Sequence, residues 1–367
     1  MDRSARRGRV APGSRALTNR IRRRLLAWFE REKRQLPWRA TRDPYRVWVS
    51  EVMLQQTTVA AVRNRYGPFL ARFPDLPALA RAREDSVLAE WSGLGYYARA
   101  RNLWRTARKV QAEEGGVLPR DPRALARLPG FGGYTAAAVA CLAHGARIPA
   151  IEANVTRVLS RLFAIGGVAG TGRHRAAVHD RMRTLLEKGP PERLTAALMD
   201  LGQLLCTPRR PLCAACPLRD DCAARRLGPE RYPERAARPR PVEVRLAAAC
   251  ARRNGRALLV RRRARPLAGL WEFPCAEGRT AESARRRLAE RIRTLGLLLE
   301  GRSLGTARHT VVNRHISIEV FEASRNPRSG LRPSKSPDVR WFRPKDLETA
   351  AIPTLTRKVA RAAKILA

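Results

Sequence analysis

The sequence predicts a multidomain chain in which an all-α domain with a cysteine-rich loop precedes a smaller α/β domain. Three observations carry this. From Leu17 to about Arg225 apolar residues recur at helical spacing, with no convincing strand alternation. Residues 226–241 turn rich in proline and arginine and read as a linker. In 242–367, Val242–Ala249, Ala257–Val260 and His315–Phe321 alternate or cluster like strands, and 281–295 keeps a helical period. A chain of 367 residues, 44% of them apolar, can bury two ordinary cores.

Residues 1–16 are basic, rich in small residues and without an apolar run, as expected of a disordered arm. No stretch of about 18 apolar residues occurs, so no membrane span is expected. The formal net charge is +42, from 74 Lys and Arg against 32 Asp and Glu. Only 7 of the basic residues are lysine. Compositional drift explains arginine in place of lysine, but not an excess of bases over acids of more than two to one. Such a balance predicts a polyanionic partner, with nucleic acid the first candidate.

Along the helical domain, Asp43-Pro44 supplies an N-cap followed by proline at the first helical position. In the helix that follows, Val47 lies one turn before Glu51 and Leu54 nearly one turn after, so this carboxylate shares an apolar face. Desolvation there would raise its pKa, as a general acid requires. Residues 122–142 read as helix, glycine-rich turn and small-residue helix around Leu128-Pro129-Gly130-Phe131-Gly132-Gly133-Tyr134. Gly130 and Gly132 permit positive φ and close approach of a ligand, and the second helix offers its first amides to a phosphate. Glu152, in Ala150-Ile151-Glu152-Ala153-Asn154-Val155, is a second candidate carboxylate. Two carboxylates flanking an N-glycosidic bond could protonate the leaving base and stabilise the sugar cation.

Cys206, Cys213, Cys216 and Cys222 follow at the spacing C-x6-C-x2-C-x5-C. Zinc sites usually pair two short gaps, whereas only one gap here is short, which favours a [4Fe–4S] cluster over zinc or a disulfide knot. Cys141, Cys250 and Cys275 stand in apolar stretches and read as core residues. Four thiolates on a metal centre imply a reducing compartment.

Taken together, Leu36–Arg39 (LPWR), Asp43–Thr57 (DPYRVWVSEVMLQQT), Trp91–Arg101, the LPGFGGYTA turn, Glu152–Val158, Met199–Gly202 (MDLG) and the four cysteines closely resemble the MutY-type adenine DNA glycosylases of the helix-hairpin-helix superfamily. The resemblance is strong over residues 17–225. Gly269–Pro274 (GLWEFP) resembles the Nudix-like recognition domain of that family, without the glutamate box of Nudix hydrolases. It implies an all-α helix-hairpin-helix glycosylase domain with a [4Fe–4S] cluster loop at 206–222, followed by a smaller α/β Nudix-like domain. The substrate implied is double-stranded DNA with adenine opposite 8-oxoguanine or guanine, the adenine being flipped into a pocket. By the same resemblance Glu51 is the acid, Tyr134 the tyrosine of the monofunctional branch, and Asn154 the asparagine beside the carboxylates. Gln56 and Tyr96 would wedge into the base stack, Trp38 and Arg39 lie near the adenine, and Arg209, Arg210 and Arg219 meet phosphates. A monomer acting on nucleoid DNA in the cytoplasm of a bacterial-type cell is expected.

Three positions depart from the family pattern. The catalytic aspartate is Glu152, followed by Ala153 instead of glycine. The Gln or Glu four residues before the aspartate of MDLG is Ala196. The F-S-H that probes 8-oxoguanine aligns with Val311-Val312-Asn313, with His309 and His315 nearby. Two alternatives therefore stand beside an adenine glycosylase: an endonuclease III-like glycosylase/lyase, whose chemistry needs a lysine where Tyr134 stands, and a lesion-binding homologue with detuned catalysis.

Overall fold

The computed structural model describes residues 15–237, 239–264, 267–329 and 336–366. The expected basic arm lies outside the described residues through position 14, and Arg15 and Ala16 open the first helix. In chain order the helices are α1 (Arg15–Glu32), α2 (Pro44–Leu54), α3 (Val59–Arg72), α4 (Leu76–Arg81), α5 (Glu84–Glu90), α6 (Ala98–Glu113), α7 (Pro122–Ala126), α8 (Gly133–His144), α9 (Ala153–Leu162), α10 (Gly172–Leu186) and α11 (Pro191–Leu204). The C-terminal part contributes β1 (Val242–Arg253), β2 (Arg256–Arg261), β3 (Trp271–Glu272), β4 (Cys275–Gly278), α12 (Ala281–Arg293), β5 (Leu297–Val311), β6 (Arg314–Arg325), β7 (Val339–Phe342), α13 (Pro344–Thr349) and α14 (Thr354–Ala362). None of the described helices is long and apolar enough to cross a membrane.

The chain forms two compact units, Met1–Val52 with Val117–Ala237, and Met53–Gly116 with Arg238–Ala367. In the first, α1 buries Ile21, Leu25, Trp28 and Phe29, a stripe at three- and four-residue spacing. That stripe joins Val158 and Leu162 of α9, Met182 and Leu186 of α10, and Leu194 and Leu198 of α11 in one core. Helix α8 is buried nearly all round because its small residues let other helices approach on several sides. The Asp43 carboxylate accepts from the Arg46 amide at 2.8 Å, capping α2 as its sequence predicts.

In the second unit, α3–α6 pack around Phe69, Leu79, Leu88, Trp91 and Leu103, all buried. The strands form one mixed sheet in the order β3-β2-β1-β6-β5, with β4 pairing β1 and β7 pairing β2. The β1–β6 ladder is parallel, in register Val242↔Arg314 through Ala251↔Ala323. Ala284, Leu288 and Ile292 of α12 belong to one apolar layer on the sheet, and Val359 and Ala360 of α14 to a second.

The three strands and the helix expected here are present, although the helix expected to 295 ends at Arg293. The structure adds β3, β4, β5, β7, α13 and α14. Strand β5 is long but hidden in the sequence, because Gly301, Gly305 and interspersed charges break its alternation. Its register slips between Leu299 and Ser303 and again before Gly305.

Candidate active site and cluster loop

The geometry begins with a carboxyl–phenol pair in the first unit. Glu51, on the inner face of α2, is only 5% exposed. Tyr134, in the first turn of α8, donates its hydroxyl to Glu51 Oε2 at 2.7 Å. The elements are clamped beside this bond, since Trp48 of α2 stacks on Phe131 of the turn with centroids 5.3 Å apart. Burial pushes the Glu51 carboxyl up to about 7; the Tyr134 bond and the Arg39 charge pull it down, and the Glu152 carboxylate pushes it further up. The Tyr134 phenol is raised well above its ordinary value by burial and by both glutamates, so it remains a donor. The carboxyl expected on the apolar face is thus buried, with its pKa raised.

Glu152 and Asn154 stand at the start of α9. Glu152 is the N-cap: its carboxylate accepts from the amides of Asn154 at 2.8 Å and Val155 at 3.0 Å, and from Asn154 Nδ2 at 2.9 Å. Burial raises its pKa and these bonds oppose the rise. Ala153 is exposed at the start of α9. Arg157, one turn on, donates to Asn154 Oδ1 and to the Gly202 carbonyl, each at 2.7 Å, and to the Cys206 carbonyl at 2.7 Å. Gly202 of α11 must be glycine here. A Cβ on it would lie 2.7 Å from the Asn154 Cβ.

Trp38 is buried in a short 3-10 turn, Pro37–Arg39. Arg39 is held by both oxygens of the fully buried Asp200, which also accepts from Arg34 at 2.6 and 2.8 Å. The aspartate of MDLG thus anchors Arg39, whose charge reaches Glu51. Ala196 is partly buried and packs against the core of the first unit, with no polar group to offer.

The turn between α7 and α8 is the expected hairpin. Asp121 caps α7, and Gly130 takes φ +77°. Gly132 departs from expectation: its φ is −85°, an ordinary extended N-cap. What Gly132 and Gly133 supply is open space, since a Cβ on either meets nothing within 4 Å. The amides of the α8 N-terminus therefore face an unobstructed surface that suits a phosphate.

Gln56 and Tyr96 belong to the second unit. Both are non-glycine residues at positive φ, +53° and +46°, and both are exposed, Tyr96 by 45%. Such backbone is costly for these residues and is held only when surroundings over-determine it. The holder is Arg99. It donates to the carbonyls of Met53 (2.9 Å), Gln55 (2.5 Å), Leu94 (2.9 Å) and Gly95 (3.1 Å), and lies over the rings of Trp91 and Tyr96. Burial lowers its pKa to about 10, leaving it charged. Val312, 73% exposed at the tip of the β5–β6 hairpin, also has positive φ, +56°, and Asn313 is tied back to the Arg240 carbonyl at 2.8 Å.

None of the seven cysteines forms a disulfide. Cys206, Cys213, Cys216 and Cys222 line one small cavity with Arg161, Leu205 and Leu212. Burial and the other three thiols push Cys216 up to about 12, so thiolates there would be held by the positive charge of a bound metal centre. The donor set fits a polynuclear iron–sulfur cluster. Arg161, 2% exposed, braces the loop through Thr207 O (2.7 Å), Pro208 O (3.2 Å), Tyr232 O (3.0 Å) and Cys206 Sγ (3.4 Å). Arg209 and Arg210 are exposed on it, as is Arg219, which is paired with Asp220.

Sequence reasoning did not single out Arg34, Arg99, Arg157, Arg161 or Asp200. The signal existed for two of them, because Asn154, Arg157 and Arg161 fall on one face of α9.

Comparisons with known proteins agree with this geometry. Residues 49–183 match the HhH-GPD superfamily base excision DNA repair protein, 206–222 the iron-sulfur binding domain of endonuclease III, and 247–362 the NUDIX domain. The adenine DNA glycosylase of Homo sapiens is 34% identical over 397 residues, covering 92% of this chain and 72% of that protein. That of Mycobacterium tuberculosis (strain ATCC 25618 / H37Rv) is 40% identical over 220 residues, covering 59% of this chain and 70% of its own. The solved structure of a thermostable thymine-DNA glycosylase superimposes with a TM-score of 0.52 at 29% identity, covering 58% of this chain and 98% of that one. The chain thus belongs to the adenine DNA glycosylase family, base excision repair enzymes with a helix-hairpin-helix domain, a [4Fe–4S] cluster and a Nudix-like C-terminal domain.

Proposed function

We propose that this enzyme hydrolyses the N-glycosidic bond of adenine opposite 8-oxoguanine or guanine in duplex DNA, releasing the base without cutting the strand. The observation that carries the reading is the buried Glu51–Tyr134 pair. An acid whose pKa is about 7 gives up a proton readily at neutral pH, as a departing purine demands. Tyr134 orients the carboxyl and takes the place where a lyase needs an amine; residues 122–142 contain no lysine. Glu152, at the α9 N-terminus and held by Asn154, is the carboxylate that stabilises the sugar cation. Arg39, anchored by Asp200, and Trp38 line the adenine pocket. Gln56 and Tyr96 open the stack, while the α8 N-terminus, Gly130, Gly132, Arg209 and Arg210 grip phosphates.

Cys206, Cys213, Cys216 and Cys222 hold the cluster, which shapes the loop bearing those arginines. The enzyme works as a monomer on nucleoid DNA in a reducing cytoplasm, a reading that the need for four cluster thiolates and the net charge support. Single-turnover assays on duplexes with adenine opposite 8-oxoguanine, guanine or thymine test the proposal. Free adenine and an intact, alkali-labile strand are expected from the first two. A strand cut without added base points to lyase chemistry, and tight binding with no released base points to a lesion-binding homologue.

A further inference from the structure

The two tyrosines at 96 and 97 face opposite ways. Tyr96 projects outward on strained backbone, whereas Tyr97 is buried and donates its hydroxyl to the main-chain carbonyl of Ile352 at 2.9 Å. Ile352 sits just after α13, in the apolar layer shared by Trp271, Ile318 and Val320. Two further bonds brace the same joint. Arg357 of α14 donates to the buried Ser92 hydroxyl at 2.8 Å, and Arg261 of β2 pairs with Asp85 of α5. Ile318 and Val320 belong to β6, the strand that leaves the hairpin tip at Val311–Arg314. Strand β6 therefore leads from that tip to Ile318 and Val320, which share an apolar layer with Ile352, the residue bonded to Tyr97, one peptide from Tyr96.

We propose that Tyr97 is a positioning residue that couples the Nudix-like domain to the wedge: the Tyr97–Ile352 bond sets how Tyr96 enters the stack according to the base opposite adenine. The inference rests on the reading of Tyr96 as a wedge and of the Nudix-like domain as the reader of the opposing base. It makes a specific demand. Breaking the joint should weaken discrimination between opposing bases and leave the wedge itself working.

The test uses the full chain and duplexes carrying 2-aminopurine beside the mispair, whose fluorescence rises as the stack opens. Fluorescence is read in a Glu51→Gln background, so that the base is retained, and single-turnover rates are read with Glu51 intact. The unaltered protein should open the duplex with 8-oxoguanine more than that with guanine. Tyr97→Phe, which removes one hydroxyl, should reduce the ratio of excision rates on the two duplexes by about fivefold to tenfold, the effect of one buried hydrogen bond, and abolish the difference in fluorescence. Arg357→Met, which breaks the neighbouring bond and leaves Tyr97 in place, should act in the same direction should Tyr97→Phe prove unstable. An equal loss on both duplexes, or a ratio kept by both variants while Tyr96→Ala loses the fluorescence, overturns the coupling. A Tyr96→Ala protein that keeps the fluorescence overturns the wedge reading instead, and an unaltered protein that opens both duplexes alike overturns the reader assigned to the Nudix-like domain.

Discussion

Glu51 titrates where the chemistry needs it because its α2 face is buried while Tyr134 and Arg39 limit the rise. Its folded pKa lies above the ordinary value near 4.5, so protonation favours the folded state. That stability is complete below about pH 4.5 and is lost as the pH climbs through about 7. Excision should follow the acid form, falling about tenfold per pH unit above 7, with a second fall on the acid side as Glu152 takes up its proton. A pH–rate profile under single-turnover conditions checks both limbs. Glu51→Gln should lower the rate by about 10²–10⁴ with duplex affinity nearly intact. A mutant excising at close to the parental rate removes Glu51 from the acid role.

At Glu152 the sequence raises the question of a misplaced charge, and the structure adds that this charge also caps a helix. Aspartate is a strong N-cap and brings the carboxylate nearer the backbone. Glu152→Asp should therefore leave stability unchanged and speed excision or leave it alone. Glu152→Gln should silence excision, and Glu152→Ala should in addition cost about 1 kcal/mol of stability. Full activity in the Gln form would confine Glu152 to the cap. Ala196 stands where the family pattern has Gln or Glu, so Ala196→Gln should raise discrimination for adenine over other purines in competition assays.

At the scale of elements, the site depends on how closely α9 and α11 approach at Asn154 and Gly202. A Cβ added at Gly202 would meet backbone as well as side-chain atoms, at 3.1 Å from Asn154 O and 3.2 Å from its Cα. The helices would have to part, at a cost of about 1–3 kcal/mol. Gly202→Ala should lower the melting temperature and, by moving Asn154 and its bond to Arg157, slow excision more than it weakens DNA binding. Arg157 bonds both to Asn154 and to the carbonyl of the first cluster cysteine. The same displacement should therefore speed loss of the broad absorbance near 400 nm on storage in air. A Gly202→Ala protein with unaltered rate and colour would show that the contact carries packing alone.

At the scale of the molecule, charge and modularity make separate predictions. With a net charge of +42, phosphate contacts should dominate affinity for undamaged duplex. If about eight phosphates are neutralised, the slope of log affinity against log salt should be near −7, a loss of roughly 10⁴ between 50 and 200 mM. A slope near zero would assign the charge to genomic composition. The four cysteines lie in one compact unit and the whole sheet in the other. Removing iron with a chelator and oxidant should therefore lower one calorimetric transition and leave the second in place. A single transition that shifts as a whole would show that the units unfold together.

What the sequence determined by itself is local. The cysteine spacing, the Asp43-Pro44 cap, the LPGFGG turn, the apolar face around Glu51 and the helical period before the linker each lie within one or two turns of chain, where backbone geometry ties position to environment. Tertiary structure alone decided what depends on distant partners. Asp200 sits in an unremarkable helical motif until Arg34 and Arg39, more than 160 residues earlier, close on it. Arg99 looks like one more base in a basic chain until two loops fold over its guanidinium. Strand β5 carries no clean alternation and exists because β6 offers it a ladder, and β1 and β6 are joined in parallel across some 60 residues of intervening chain. Burial and opposed hydrogen bonds fixed the protonation of Glu51, and no spacing in one dimension encodes them, because desolvation is a property of everything that packs around a group.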